Sequence, residues 1–173
     1  LISHKHNGLI KIISGIRRCG KSYLLSELFR KHLLTEGVKK DHIIHIALDD
    51  YEKKQYRNPD NCYKYVKSSI KDNEMYYLLL DEVQMMESFE DVLNGFLHIK
   101  NLDVYVTGSN SKFLSSDVVT EFRGRGDEIR VYPFSFAEFY SAVGGDWSDA
   151  WREYYTYGGM PLILSKKTDE LYY

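Results

Sequence analysis

Cysteine, charge of one sign and long apolar runs are all scarce in this 173-residue chain. Its two cysteines, Cys19 and Cys62, stand in unlike contexts with no metal-ligand spacing. That excludes a disulfide framework and makes a reduced, cytoplasmic protein the expectation. A formal net charge of −2 provides no general attraction for nucleic acid, so such binding would need a local patch. The apolar runs fall far short of the ~20 residues that cross a bilayer, and no membrane role is expected.

What remains is the composition of an ordinary globular protein, 43% hydrophobic and 28% charged, long enough to bury one real core. Fifteen tyrosines are many. They scatter without forming a stacking array, so packing and half-buried surface are their expected use. The chain opens at Leu1 and stops at Tyr173 within a helical pattern, and a piece of a longer protein is expected.

The stretch Gly15-Ile16-Arg17-Arg18-Cys19-Gly20-Lys21-Ser22 fits the phosphate-binding pattern G-x-x-x-x-G-K-[ST] throughout. A polyphosphate wrapped by backbone N–H groups needs close approach, and the two glycines leave that backbone bare. Lys21 is placed to reach the β- and γ-phosphates, and the Ser22 hydroxyl to take one corner of a Mg²⁺ octahedron. Gly15 to Ser22, with Tyr23 just beyond, are the candidate nucleotide-binding residues. The β-branched run Ile10 to Ser14 predicts a strand before the loop, and Leu24, Leu25, Leu28 and Phe29 predict a helix after it. The helix would turn its positive end to the anion.

A second signal lies sixty residues after Lys21. Met75-Tyr76-Tyr77-Leu78-Leu79-Leu80 runs into Asp81-Glu82, an apolar strand with carboxylates at its tip. Asp81 is the candidate to hold Mg²⁺ through water, and Glu82 to polarise the water that attacks the γ-phosphate.

Other stretches leave two readings open. Thr107 ends the predicted strand Asp103 to Thr107, and Ser109 and Asn110 follow it; one of the three would touch the γ-phosphate or the attacking water, or the segment is a polar turn that caps a short helix over 112–115. Arg123 and Arg125, flanked by glycines before the strand Glu128 to Tyr132, are either an arginine finger acting in a neighbouring subunit or a solvated basic loop. His42 and His45 fall on opposite faces of a strand and do not predict a metal site. Asp49 to Glu52 reads as a solvated strand end or as an acidic cluster near the nucleotide.

Strand and helix alternate along the chain, which predicts a parallel α/β sheet with ligand at the carboxyl ends of its strands. The P-loop, Leu-Leu-Leu-Asp-Glu-Val-Gln, Val-Thr-Gly-Ser-Asn-Ser, Gly-Arg-Gly leading to Pro-Phe-Ser-Phe-Ala-Glu-Phe, and Tyr-Gly-Gly-Met-Pro follow one another from about Ile10 to Leu164. In this order they resemble a broad group of bacterial and archaeal AAA+ ATPases, P-loop NTPases of the ASCE type with an uncharacterised C-terminal region. The resemblance implies a five-stranded sheet in the order 5-1-4-3-2, sandwiched by helices, with ATP and Mg²⁺ as ligands. It also implies water activation by Glu82 and Arg125 in preference to Arg123 as the finger. Members of the group usually continue into further C-terminal domains. The expected organisation is a nucleotide-binding core over 1–142 and the start of a helical extension over 143–173.

The leading expectation is an ATPase whose hydrolysis drives conformational change in attached domains or a partner. The alternative is an ATP-binding switch or scaffold with negligible turnover. A small-molecule kinase would need an acceptor pocket and an arginine-bearing lid, and neither is visible. A GTPase would need [NT]-K-x-D, and Lys166-Lys167-Thr168-Asp169 lacks its first residue. A homo-oligomer is a possible working unit. The client, protein or nucleic acid, is not specified by this chain; Lys39-Lys40, Lys53-Lys54 and Arg123/Arg125 are its local basic spots.

Overall fold

A computed structural model of the chain describes residues 1–108, 122 and 124–164. By contacts these residues divide into two compact units, Leu1–Gly15 with Lys21–Arg130, and Ile16–Gly20 with the segment that begins at Val131.

The first unit is built on five strands: β1 (Ile10–Ser14), β2 (Ile43–Ala47), β3 (Tyr76–Asp81), β4 (Leu102–Thr107) and β5 (Gly126–Arg130). They pair in the order β2-β3-β4-β1-β5, and every pairing is parallel. Read from the other edge this is the expected 5-1-4-3-2. Parallel strands covered on both faces are apolar along their length rather than alternating, and every residue of β1 and β3 is buried.

The two faces carry different layers. Ile10, Ile12, Ile44, Ile46, Leu78, Leu80, Val104 and Val106 share one core cluster with Cys62 and Val66 of the helix Pro59–Ser69 and with Phe89, Val92, Leu93 and Phe96 of the helix Phe89–Phe96. Burial pushes the Cys62 thiol up to about 12, so it packs as a small apolar group. Against the opposite face lies the helical segment 21–35, whose buried Leu25, Phe29 and Leu33 repeat at helical spacing and whose Phe29 ring meets Tyr105 at 4.5 Å. This segment is α-helical at Lys21–Tyr23 and Arg30–Thr35 but π-helical over Leu24–Phe29. Helical periodicity in the sequence predicts its length, not the wider winding. Among the described residues no helix is long and apolar enough to cross a membrane.

A buried ion pair interrupts the apolar sheet. Lys11 on β1 is fully buried; its Nζ donates to the Asp103 carboxylate on β4 and to the Leu9 carbonyl at 2.8 Å. Asp103 also accepts from the Tyr105 hydroxyl at 2.9 Å and the His6 backbone N–H at 3.1 Å. These bonds compensate the desolvation of the pair.

In the second unit, the helices Phe136–Val143 and Trp147–Tyr157 surround a small core of Phe139, Ala150 and Ile163. Ser135 and Glu138 form a reciprocal capping box on the first, and Asp146 caps the second. Gly158 ends the second helix at φ 80°. Gly159 sits where a Cβ would meet the Phe134 carbonyl oxygen at 2.1 Å, which is the packing reason for the Tyr-Gly-Gly-Met-Pro stretch.

Removing one member of the buried pair strands the other. Lys11→Met is expected to cost about 3–5 kcal/mol, read as a lower urea midpoint, and adding Asp103→Leu should recover most of the loss.

Candidate functional site

The carboxyl ends of β1, β3 and β4 lie side by side, and the residues that follow them form the site. After β1 the chain leaves through Gly15 at φ 149° and re-enters at Lys21 after Gly20 at φ 98°. Lys21 is only 4% exposed, and its Nζ donates to the Gly15 carbonyl at 2.9 Å. The ammonium is thus folded back onto the residue that follows β1. In the second unit, Cys19 is buried and its Sγ donates to the Val131 carbonyl at 3.4 Å. Arg18 adopts φ 68°, a left-handed value that costs a residue bearing a Cβ. Ile16, Arg17 and Arg18 are exposed, and Tyr23 is 62% exposed.

Asp81 ends β3 and is buried. The Ser22 hydroxyl donates to its Oδ1 at 3.1 Å, and the Thr107 hydroxyl, from the end of β4, donates to the same oxygen. Two stretches 59 residues apart in sequence thereby meet at one carboxylate. The next residue, Glu82, takes φ 53° and ψ 49°, another left-handed turn at a residue with a side chain. Its backbone N–H donates to the Thr107 hydroxyl oxygen at 3.1 Å, and its carboxylate accepts from the Gln84 amide. Of the Thr107, Ser109 and Asn110 set, Thr107 lies among the described residues, and it meets both acids. Ser109, Asn110 and Arg123 lie outside the described residues.

Arg125 is placed elsewhere. It immediately precedes β5, where Gly126 pairs with Ile10 at the start of β1, whereas Ser14 pairs with Arg130. Four residues of strand, about 13 Å, separate that level from the Gly15 end of the sheet. Its guanidinium donates to the Asn94 side chain at 2.9 Å. The residue expected as a finger thus stands at the far end of its own sheet.

The structure adds partners that sequence reasoning passed over. Gln84 was part of the Asp-Glu-Val-Gln motif, but only its folded position joins it to Glu82. The Ser14 hydroxyl donates to Glu128 at 2.8 Å, and hydrogen bonds from Arg130 and Ser14 hold the Glu128 carboxyl below its usual range. Strand pairing alone brings these residues together. His45, in β2, is kept toward its neutral form by burial. Among the described residues, His42, Asp72 and Glu74 also come close. Each His42 ring nitrogen faces a different carboxylate, at 3.4 and 3.7 Å, and Lys39 already pairs with Glu74 at 2.9 Å.

A family model described as an AAA domain matches residues 7–140. The chain belongs to this AAA domain family. An uncharacterised protein of Haemophilus influenzae is 32% identical over 170 residues, 95% of this chain and 42% of that protein. A second relative, from Methanocaldococcus jannaschii and likewise uncharacterised, is 31% identical over 134 residues, covering 75% of this chain and 28% of its own. The AAA domain described here thus spans less than half the length of these two relatives. Among solved structures, it is similar to PCH-2 of C. elegans, with TM-score 0.57, 14% identity, and coverage of 82% of this chain and 40% of that one. It is also similar to a DNA polymerase III gamma subunit-related protein of Thermotoga maritima, with TM-score 0.53, 14% identity, and coverage of 98% and 53%. At such identities the likeness is one of fold. It agrees with the P-loop sheet order, and the family is a nucleotide-binding one.

Thr107 is fully buried and serves both acids. Thr107→Val keeps the shape and removes both hydrogen bonds, so a loss of about 1–3 kcal/mol in chemical denaturation is expected.

Proposed function

We propose that this AAA domain binds ATP with Mg²⁺, hydrolyses the β–γ phosphoanhydride, and passes the change on to attached domains or a partner. The observation that carries the proposal is the 3.1 Å approach of the Ser22 hydroxyl to Asp81 Oδ1, with Glu82 on the next residue. Adjacent corners of a Mg²⁺ octahedron with ~2.0–2.1 Å bonds stand about 2.9 Å apart, so these two oxygens are spaced to share one ion directly or through its waters. The ion, when bound, neutralises charge on the β- and γ-phosphate oxygens. The motif Gly15 to Ser22 is the stretch that wraps the phosphates, on the strength of its sequence, and Lys21 exchanges its bond to the Gly15 carbonyl for them.

Glu82 acts as the general base. It takes a proton from a water whose oxygen bonds to the γ-phosphorus as the bond to the bridging oxygen breaks, leaving ADP and phosphate. The left-handed backbone at Glu82 favours this role, because it turns the side chain out of the strand direction immediately after Asp81.

Arg125 supplies the remaining positive charge from a neighbouring chain. Its place before β5, on the level of Ile10 rather than of Ser14, favours a role in trans and an oligomeric working unit. Ser109 and Asn110 remain candidates to touch the γ-phosphate or the attacking water.

Glu82→Gln should keep ATP affinity within a few-fold and lower turnover by about 10²–10⁴; undiminished hydrolysis would remove Glu82 as the base. Lys21→Ala should lose nucleotide binding by calorimetry. For Arg125, turnover per chain should rise with protein concentration. Arg125→Ala and Lys21→Ala, each inactive alone, should regain hydrolysis when mixed, since one keeps a competent site and the other an intact arginine. Mixed oligomers with no recovery would rule out action in trans.

A further inference from the structure

Gln84 is held in a turn that leaves it little freedom. Val83–Met85 forms one turn of 3₁₀ helix, closed by Met85 N–H to the Glu82 carbonyl at 3.0 Å and Met86 N–H to the Val83 carbonyl at 3.0 Å. Val83 and Met86 are buried in the sheet core and anchor it. Between them the Gln84 amide nitrogen donates to Glu82 Oε2. A carboxylate in this contact only accepts, so the nitrogen faces Glu82 and the amide oxygen turns away. That oxygen, Oε1, is buried and meets no hydrogen-bond donor among the described residues.

The orphaned oxygen decides between two roles. A glutamine that ties two segments of the fold together uses both ends of its amide, because an unpaired buried acceptor is costly. Gln84 uses one end, and that end is on Glu82. The described contacts therefore tie its amide to Glu82 and to no second segment.

We propose that Gln84 is a positioning residue for Glu82: its N–H holds one carboxylate oxygen and so sets the orientation of the carboxylate toward the attacking water. This rests on Glu82 being the base of an ATPase. Glu82 has three side-chain torsions, and an incorrectly placed base forfeits much of the gain from orientation.

Gln84→Glu decides the matter because it preserves size and shape while replacing the donor with an acceptor. Turnover by the full chain is expected to fall about 10- to 100-fold, as it does in Gln84→Ala, with ATP affinity within threefold of wild type. Gln84→Glu with kcat within twofold of wild type would show that only packing matters and overturn the proposal. A second readout does not depend on activity. In the ¹H–¹⁵N spectrum of the nucleotide-free chain, one Gln84 side-chain amide proton should lie downfield and move to the ordinary amide position in Glu82→Ala. A Gln84 amide signal unmoved by Glu82→Ala overturns the contact. Absence of turnover in wild type would instead sink the ATPase reading, and the amide signal would still decide whether Gln84 holds Glu82.

Discussion

The Asp81 carboxylate is the point on which this structure depends. A buried carboxyl group needs hydrogen-bond donors, and the two that Asp81 finds come from the helical segment after β1 and from the end of β4. Their convergence fixes the relative heights of three strand ends. The same geometry that satisfies a buried polar group gathers a hydroxyl, two acids and a lysine at the carboxyl end of the sheet. Thr107 extends the arrangement by receiving the Glu82 N–H, so the left-handed turn at Glu82 is supported by the residue that also holds Asp81.

The sheet has two chemically different ends. At the carboxyl end lie Gly15, Lys21, Ser22, Asp81, Glu82 and Thr107. Toward the amino end lie the buried Lys11–Asp103 pair and Arg125. Parallel pairing imposes this separation: all five strands point the same way, so whatever precedes a strand is kept about a strand length from whatever follows it. Arg125, before β5, is therefore kept at the amino end of the sheet, where its guanidinium donates to Asn94.

Much of this was legible in one dimension. The P-loop is a local motif whose glycines and lysine are required by the phosphate it wraps, so its sequence is nearly its structure. The Tyr76–Asp81 strand showed itself by unbroken apolarity, which follows from burial on both faces. Local pattern also marked the helix after the P-loop, because the spacing of Leu24, Leu25, Leu28 and Phe29 is a short-range feature. The placing of Asp81 beside Ser22 was expected from spacing and family resemblance, but the 3.1 Å contact is a tertiary fact.

Other features had no local signature. Lys11 reads as an interruption in a strand until Asp103 arrives from β4, 92 residues away. Gln84 reads as the end of a motif until a turn brings its amide onto Glu82. Arg125 reads equally well as a finger or a surface loop until strand pairing sets its level. By itself the sequence determined the phosphate loop, the acid pair, the alternation of strand and helix and, through their order, the family. Only the tertiary structure decided which hydroxyl holds which acid, which end of the sheet each charge occupies, and that the Gln84 amide meets Glu82. Those depend on contacts between residues far apart in the chain, and no short-range pattern encodes them.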